Sequence, residues 1–140
     1  MLPNNFKYPF IIQIMENEII AIFKKEEDIK KITDRLKNYS FDNLKKHPHF
    51  EFSIMEKLTD LAKIKETFSK FELVKTIELR RNKLNQEHYS LNYELEDGTF
   101  VVLSVFFEAD KPVILNGFHA QTSYKRFEKS LSKNYASKFR

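Results

Sequence analysis

His88, His119, Glu78 and Arg80 are the residues of this chain whose types suit proton transfer beside an anion. An imidazole can take or give a proton near neutral pH. A guanidinium holds a phosphate through charge and paired donors. His119 closes the apolar run Val113-Ile114-Leu115-Asn116-Gly117-Phe118, and Thr122, Ser123 and Tyr124 follow at the mouth of a basic segment. The positive N-terminus of a helix starting there favours an anion such as phosphate. These types fit metal-free cleavage of RNA. A base takes the 2′-hydroxyl proton, cations hold the pentavalent phosphate, and an acid protonates the leaving 5′-oxygen. His88 and His119 share the base and acid roles in this reading. Arg80, with Arg81 or Lys83, neutralises the phosphorane. Glu78 orients a histidine or serves as the base, and Thr122 and Tyr124 position phosphate or base.

Other chemistries lack their residues. The chain has no cysteine, so it has no disulfide framework, thiolate zinc site or cysteine nucleophile. His47 and His49 flank Pro48 in a polar stretch and read as surface residues. With no HExxH motif, no metal site is expected. The only glycines, Gly98 and Gly117, are too far apart for a phosphate-binding loop or a dinucleotide fingerprint. There is no GxSxG elbow. No cofactor is expected.

The rest of the chain must position these groups. It has 140 residues, 41% hydrophobic and 31% charged, with 14 Phe and 6 Tyr, enough to bury one core. We read residues 1–140 as a single domain. Phe10 to Ile14 and Glu18 to Phe23 read as a hairpin around Met15-Glu16-Asn17. Ile29, Ile32 and Leu36 predict an amphipathic helix over 25–38. Ile54, Leu58, Leu61, Ile64, Phe68 and Phe71 form one helical stripe. The period then changes to two. Leu73 to Arg80, Glu87 to Leu95, Thr99 to Glu108 and Pro112 to Phe118 read as four strands. Asp97-Gly98 and Asp110-Lys111-Pro112 turn between them. Tyr124, Phe127, Leu131 and Tyr135 give a final helix one packing face, with Thr122 or Ser123 as its cap. The fold class is α+β: an N-terminal hairpin and helices, then a four-stranded antiparallel meander with a basic C-terminal helix. Alternation gives the sheet an apolar face with Leu91 and Tyr93, covered by helices, and a polar face with Glu78, Arg80 and His88.

Charge points the same way. The net charge is +4. Residues 113–140 hold Lys125, Arg126, Lys129, Lys133, Lys138 and Arg140 against Glu128 alone. The whole excess lies at this end, which points to a polyanion or an acidic partner. RNA, as mRNA or tRNA, is the expected partner, bound through Arg81, Lys83, Lys125, Arg126, Lys129 and Lys133. No apolar stretch approaches the ~20 residues that span a membrane. Met1 to Pro9 lacks a basic segment followed by an apolar run. The expectation is a soluble cytoplasmic protein with no membrane partner.

Across roughly residues 54–125 the chain resembles the RelE/HigB group of toxin ribonucleases. That group falls within a broader assembly of metal-free nucleases with barnase, EndoU and the tRNA-cutting colicins. The residues concerned are Glu78-Leu79-Arg80, Tyr89-Ser90-Leu91-Asn92-Tyr93, and Val113 to Phe118 followed by His119-Ala120-Gln121-Thr122. Arg80 matches the arginine of the family's Leu-Arg strand, and Thr122 the threonine after its glycine–aromatic pair. Ser90 stands where the toxins carry arginine, and Ala120-Gln121 where they carry a lysine pair. The two histidines look more like EndoU-type or contact-dependent-inhibition nucleases. The resemblance implies an antiparallel sheet with helices on one face and an RNA cleft on the other. It implies a bacterial toxin or defence module, with a cognate antitoxin or immunity protein as partner. The alternative from another class is a non-catalytic nucleic-acid-binding or toxin–antitoxin partner protein.

Overall fold

Alternating apolar residues pair into one sheet here, and two helical stripes settle on its opposite faces. The structure is a computed structural model that describes residues 17–48, 50 and 60–140. In chain order the elements are β1 (Glu18–Phe23), α1 (Glu26–Thr33), β2 (Lys45–Lys46), α2 (Asp60–Phe68), β3 (Val74–Arg81), β4 (Glu87–Glu94), β5 (Phe100–Glu108), β6 (Lys111–Ala120) and α3 (Tyr124–Asn134). The fold is α+β; among the described residues it has three helices and a six-stranded mixed sheet.

The strand order is β1-β3-β4-β5-β6-β2. β3 to β6 pair antiparallel with their sequence neighbours. β1 adds antiparallel to β3, and the two-residue β2 runs parallel to β6. The sheet is therefore wider than the four strands expected, and mixed. β1 was expected as the second arm of a hairpin. It forms, and its partner is β3; the first arm, Phe10 to Ile14, lies outside the described residues.

Turn chemistry fixes the register. Gly98 has φ 87°, and its N–H reaches the Leu95 carbonyl at 2.9 Å. β5 turns into β6 through Ala109 and Asp110, both at positive φ (50° and 67°). Two such residues in succession give the turn whose twist suits a hairpin. It lies one residue before the Asp110-Lys111-Pro112 turn expected, and Lys111 and Pro112 belong to β6.

One row of the sheet runs Ile77, Leu91, Leu103, Gly117. α2 packs on this face through Ile64. A Cβ at Gly117 would meet Ile64 Cδ1 at 3.0 Å and Leu103 Cδ1 at 3.2 Å, so the bare glycine is what lets the helix approach. The Tyr93 hydroxyl, fully buried, donates to the Phe68 carbonyl at 2.9 Å and ties sheet to helix. Ile54 and Leu58 of the stripe lie outside the described residues. Phe71 falls in a separate 3-10 turn, Phe71–Leu73.

α1 starts with Glu26, Glu27 and Asp28 and ends with Lys30 and Lys31, matching its dipole. It is shorter than 25–38, because the chain tightens into i→i+3 bonds after it: Arg35 N–H to Ile32 at 3.1 Å and Leu36 N–H to Thr33 at 2.9 Å. Leu36 still reaches the core.

α3 covers the other sheet face at its β1 side. Phe127 stacks on Phe100 with ring centroids 4.7 Å apart, and Leu131 packs with Ile19 and Ile22. Ser123, not Thr122, caps it, accepting from the Arg126 N–H at 3.4 Å.

Candidate functional site

β3 and β4 bring Arg80 and His88 directly opposite each other, and Glu78 opposite Ser90. Cross-strand partners share a face, and the alternation puts Thr76, Ser90 and Asn92 there too. β5 and β6 add Ser104 and Asn116 on the same face. This is the polar face expected, but it is not open. Glu78, His88, Ser90, Asn92, Ser104, Asn116 and Thr76 are all buried.

Burial requires partners, and a chain of hydrogen bonds supplies most of them, though Asn92 Oδ1 has none among the described residues. Arg80 donates to Glu78 Oε1 through Nε at 3.0 Å and also through Nη2. Asn92 Nδ2 donates to Glu78 Oε2 at 2.8 Å and to Thr76 Oγ1 at 3.0 Å. The Tyr124 hydroxyl donates to Thr76 Oγ1 at 3.1 Å. Tyr124, the first residue of α3, is thus packed against the sheet, and burial raises its pKa. Ser90 and Ser104 share a hydroxyl–hydroxyl bond at 3.2 Å. Arg80 keeps one edge toward solvent, with 19% of its side chain exposed.

His88 ends this strip. Burial pushes its pKa down to about 4, and the Arg80 guanidinium adds to the shift. Its imidazole is therefore neutral at neutral pH, able to accept a proton. Asn17 Nδ2 donates to its Nε2 at 3.4 Å.

A second histidine meets it, one the spacing gave no sign of. His47 and His88 line one cavity of about 160 Å³, with Asn82, Gln86, Glu87, Phe106 and Leu115. His47 gets there because β2 runs along β6, and its N–H bonds the Ile114 carbonyl at 2.8 Å. It was expected at the surface; it is half-buried, its ring edge-on to Phe106. His49 lies outside the described residues.

His119 does not join them. It pairs with Val101, which pairs with Tyr93, so it sits on the α2 side of the sheet. Along β4, Tyr93 is five residues from His88, which is roughly 16 Å. The expected cleft shared by His119 with His88, Glu78 and Arg80 is therefore not formed. One residue of parity decides it, since β6 continues to Ala120 and alternation turns His119 away. Both ring nitrogens are engaged instead. Thr99 Oγ1 donates to Asp97 Oδ1 at 2.6 Å and lies 2.8 Å from His119 Nε2. Gln121 Nε2 lies 3.1 Å from Nδ1. With Thr99 donating to Asp97, Nε2 carries the proton and Nδ1 accepts. The Thr99 hydroxyl and N–H hold the Asp97 carboxyl below its usual range.

Thr122 is exposed and caps nothing. Arg81 pairs with Glu87 at 3.0 Å, and Lys83 lies in the 82–86 hairpin loop next to the cavity wall. On α3, Lys125, Arg126, Lys129 and Lys133 are all exposed. The helix's one acid, Glu128, turns in to meet Lys24 at 2.5 Å, so the outward face carries only positive charge. A larger cleft, about 990 Å³, lies between α1, the start of β3 and α3, with lysines and glutamates mixed along it.

Among the described residues no group of three or more His, Asp or Glu could hold a metal ion, and no helix is long and apolar enough to cross a membrane. No family model matches the chain, and no curated protein or solved structure matches it significantly.

Proposed function

We propose that the protein is a metal-independent endoribonuclease, a bacterial toxin or defence module of the RelE-like and EndoU-like assembly, acting in the cytoplasm. The observation that carries this reading is the meeting of a neutral His88 with Arg80 across β3 and β4, beside a cavity that His47 also lines. His88 takes the 2′-hydroxyl proton. Arg80, oriented by Glu78, holds the developing charge on phosphorus. His47, in place of His119, protonates the leaving 5′-oxygen. RNA supplies the nucleophile, so neither a covalent intermediate nor a metal is needed. The cationic face of α3 draws the polyanion in, and a cognate antitoxin or immunity protein would act by covering the cavity.

The test is total RNA incubated with the protein in EDTA. Discrete fragments are expected. His88→Ala should slow their appearance by about 10²–10⁴-fold, the usual worth of a positioned acid or base. Intact RNA from the unmodified protein would overturn the reading.

A second reading has its own support. The near-total burial of Glu78 and Asn92 suits a scaffold as well as a site. A non-catalytic nucleic-acid-binding or toxin–antitoxin partner protein would use α3 alone. It would bind RNA without cutting it, and His88→Ala would leave binding unchanged.

A further inference from the structure

We propose that the cavity between His47 and His88 is a binding pocket for one unstacked, single-ring nucleobase. This rests on the RNA reading above and names the group of the substrate that the site grips.

Size comes first. The space is about 160 Å³. A cavity of ~150 Å³ takes one six-membered aromatic ring, so a pyrimidine fills the space and a two-ring purine would extend beyond it. Shape follows. The Phe106 and His47 rings meet at 70° with centroids 6.4 Å apart, forming an aromatic corner. A planar ring stacked on one wall presents its edge to the other, the geometry aromatic pairs prefer. Leu115 closes an apolar side.

Polar groups complete it. Asn82 Oδ1 accepts from the N–H groups of Leu84 and Gln86, each at 2.9 Å, and Asn82 Nδ2 donates to Gln86 Oε1 at 2.9 Å. These bonds brace the 82–86 loop that forms the pocket wall. Gln86 spends its oxygen on this brace, and its Nε2 is left to donate to a ring carbonyl. Both pyrimidine bases of RNA carry such a carbonyl. Glu87, which also lines the cavity, pairs its carboxylate with Arg81 at 3.0 Å, and His88 is neutral at neutral pH, so the pocket suits an uncharged heterocycle. Single-stranded RNA presents bases in this way, splayed out and stacked on side chains. Leu84 stands at the loop tip, 79% exposed, where an apolar side chain can wedge between neighbouring bases.

The experiment follows the imidazole Cε1–H resonances of the full-length protein by NMR, assigned with His47→Gln and His88→Gln, during titration with uridine, cytidine, adenosine and guanosine. Saturable shifts of His47 and His88 with a pyrimidine nucleoside are expected, with His119 still and both purines inert. Gln86→Ala, at an exposed position, should weaken the pyrimidine response by about three- to tenfold, the worth of one neutral hydrogen bond. Equal responses to purines and pyrimidines, no response up to millimolar nucleoside, or equal movement of His119 would each overturn the pocket. RNA cleavage without a nucleoside response overturns the pocket alone. A pyrimidine response without cleavage upholds the pocket and overturns the endoribonuclease reading alone.

Discussion

Arg80 and His88 face each other across β3 and β4, and the guanidinium adds to what burial does to the imidazole. Both effects act against a proton on the ring. The Glu78 carboxylate takes the Arg80 charge from the other side, so the strip holds one ion pair and one neutral histidine.

Stability should therefore fall in mild acid. The folded pKa of His88 is about 4, against an ordinary value of 6.5. Between those values the unfolded chain binds a proton and the folded chain does not. Stability is full above the unfolded value, is lost as pH falls from about 6.5 to about 4, and loses no more below that. The loss is on the order of 3 kcal/mol. Urea denaturation at pH 7.5 and pH 4.5 measures it, and His88→Asn should flatten the difference. An unchanged pH dependence in that variant would refute the assignment to His88.

Glu78→Ala should be among the costliest single substitutions. It leaves the Arg80 charge half-buried and takes an acceptor from Asn92. Breaking one side of a buried pair costs about 3–5 kcal/mol. For a domain of this size the Tm should drop by roughly 10 °C or more. A loss of only a degree or two would mean that water reaches this strip freely.

Much of this fold is legible in the chain. The period-two runs and the Asp97-Gly98 pair mark β4 and β5, and the stripe through Ile64 and Phe68 marks the helix on their apolar side. β2 is too short to carry a pattern, and it is β2 that delivers His47. Sequence also separates the sheet faces correctly for Glu78, Arg80 and His88. It misplaces His119 because nothing local shows that β6 runs on to Ala120 and that alternation still governs that residue. It reads the polar face as open, because no local signal says that Tyr124 at the start of α3 folds over Thr76.

Gly117→Val should destabilise the protein without touching the polar face. Even a Cβ there meets Ile64 and Leu103 at 3.0 and 3.2 Å, and both atoms belong to the packed core. Overpacking of this kind costs about 1–3 kcal/mol. Shortening the opposing side chain should relieve it, so Gly117→Val with Ile64→Val should recover part of the loss. If the two changes simply add, Ile64 is not the opposing group.

Neutralising the outward face of α3 should weaken RNA binding in a salt-dependent way. Replacing Lys125, Arg126, Lys129 and Lys133 with glutamine removes cations that are all exposed, so the helix should stay folded. Each lost phosphate contact flattens the plot of log affinity against log salt by roughly 0.7 for single strands, so the four together should flatten it by up to about 3. Equal slopes for the two proteins would exclude α3 as the RNA surface.

His119→Ala separates the two ways of drawing the catalytic pair. His119 lies on the α2 side of the sheet, bonded to Thr99 and Gln121, while His88 faces the opposite side with His47 at its cavity. If His47 is the acid, removing His119 should leave the rate of RNA cleavage within about twofold. His47→Ala should lower it by about 10²–10⁴-fold. Loss of the Thr99 bond should cost roughly 1 kcal/mol of stability, so both variants are compared well below their melting temperatures. The pH–rate profile adds a second readout. His88 as base gives an acid limb near its pKa of about 4, and His119→Ala should leave that limb where it is. A collapse of activity in His119→Ala, with His47→Ala unaffected, would move the chemistry to the other face of the sheet.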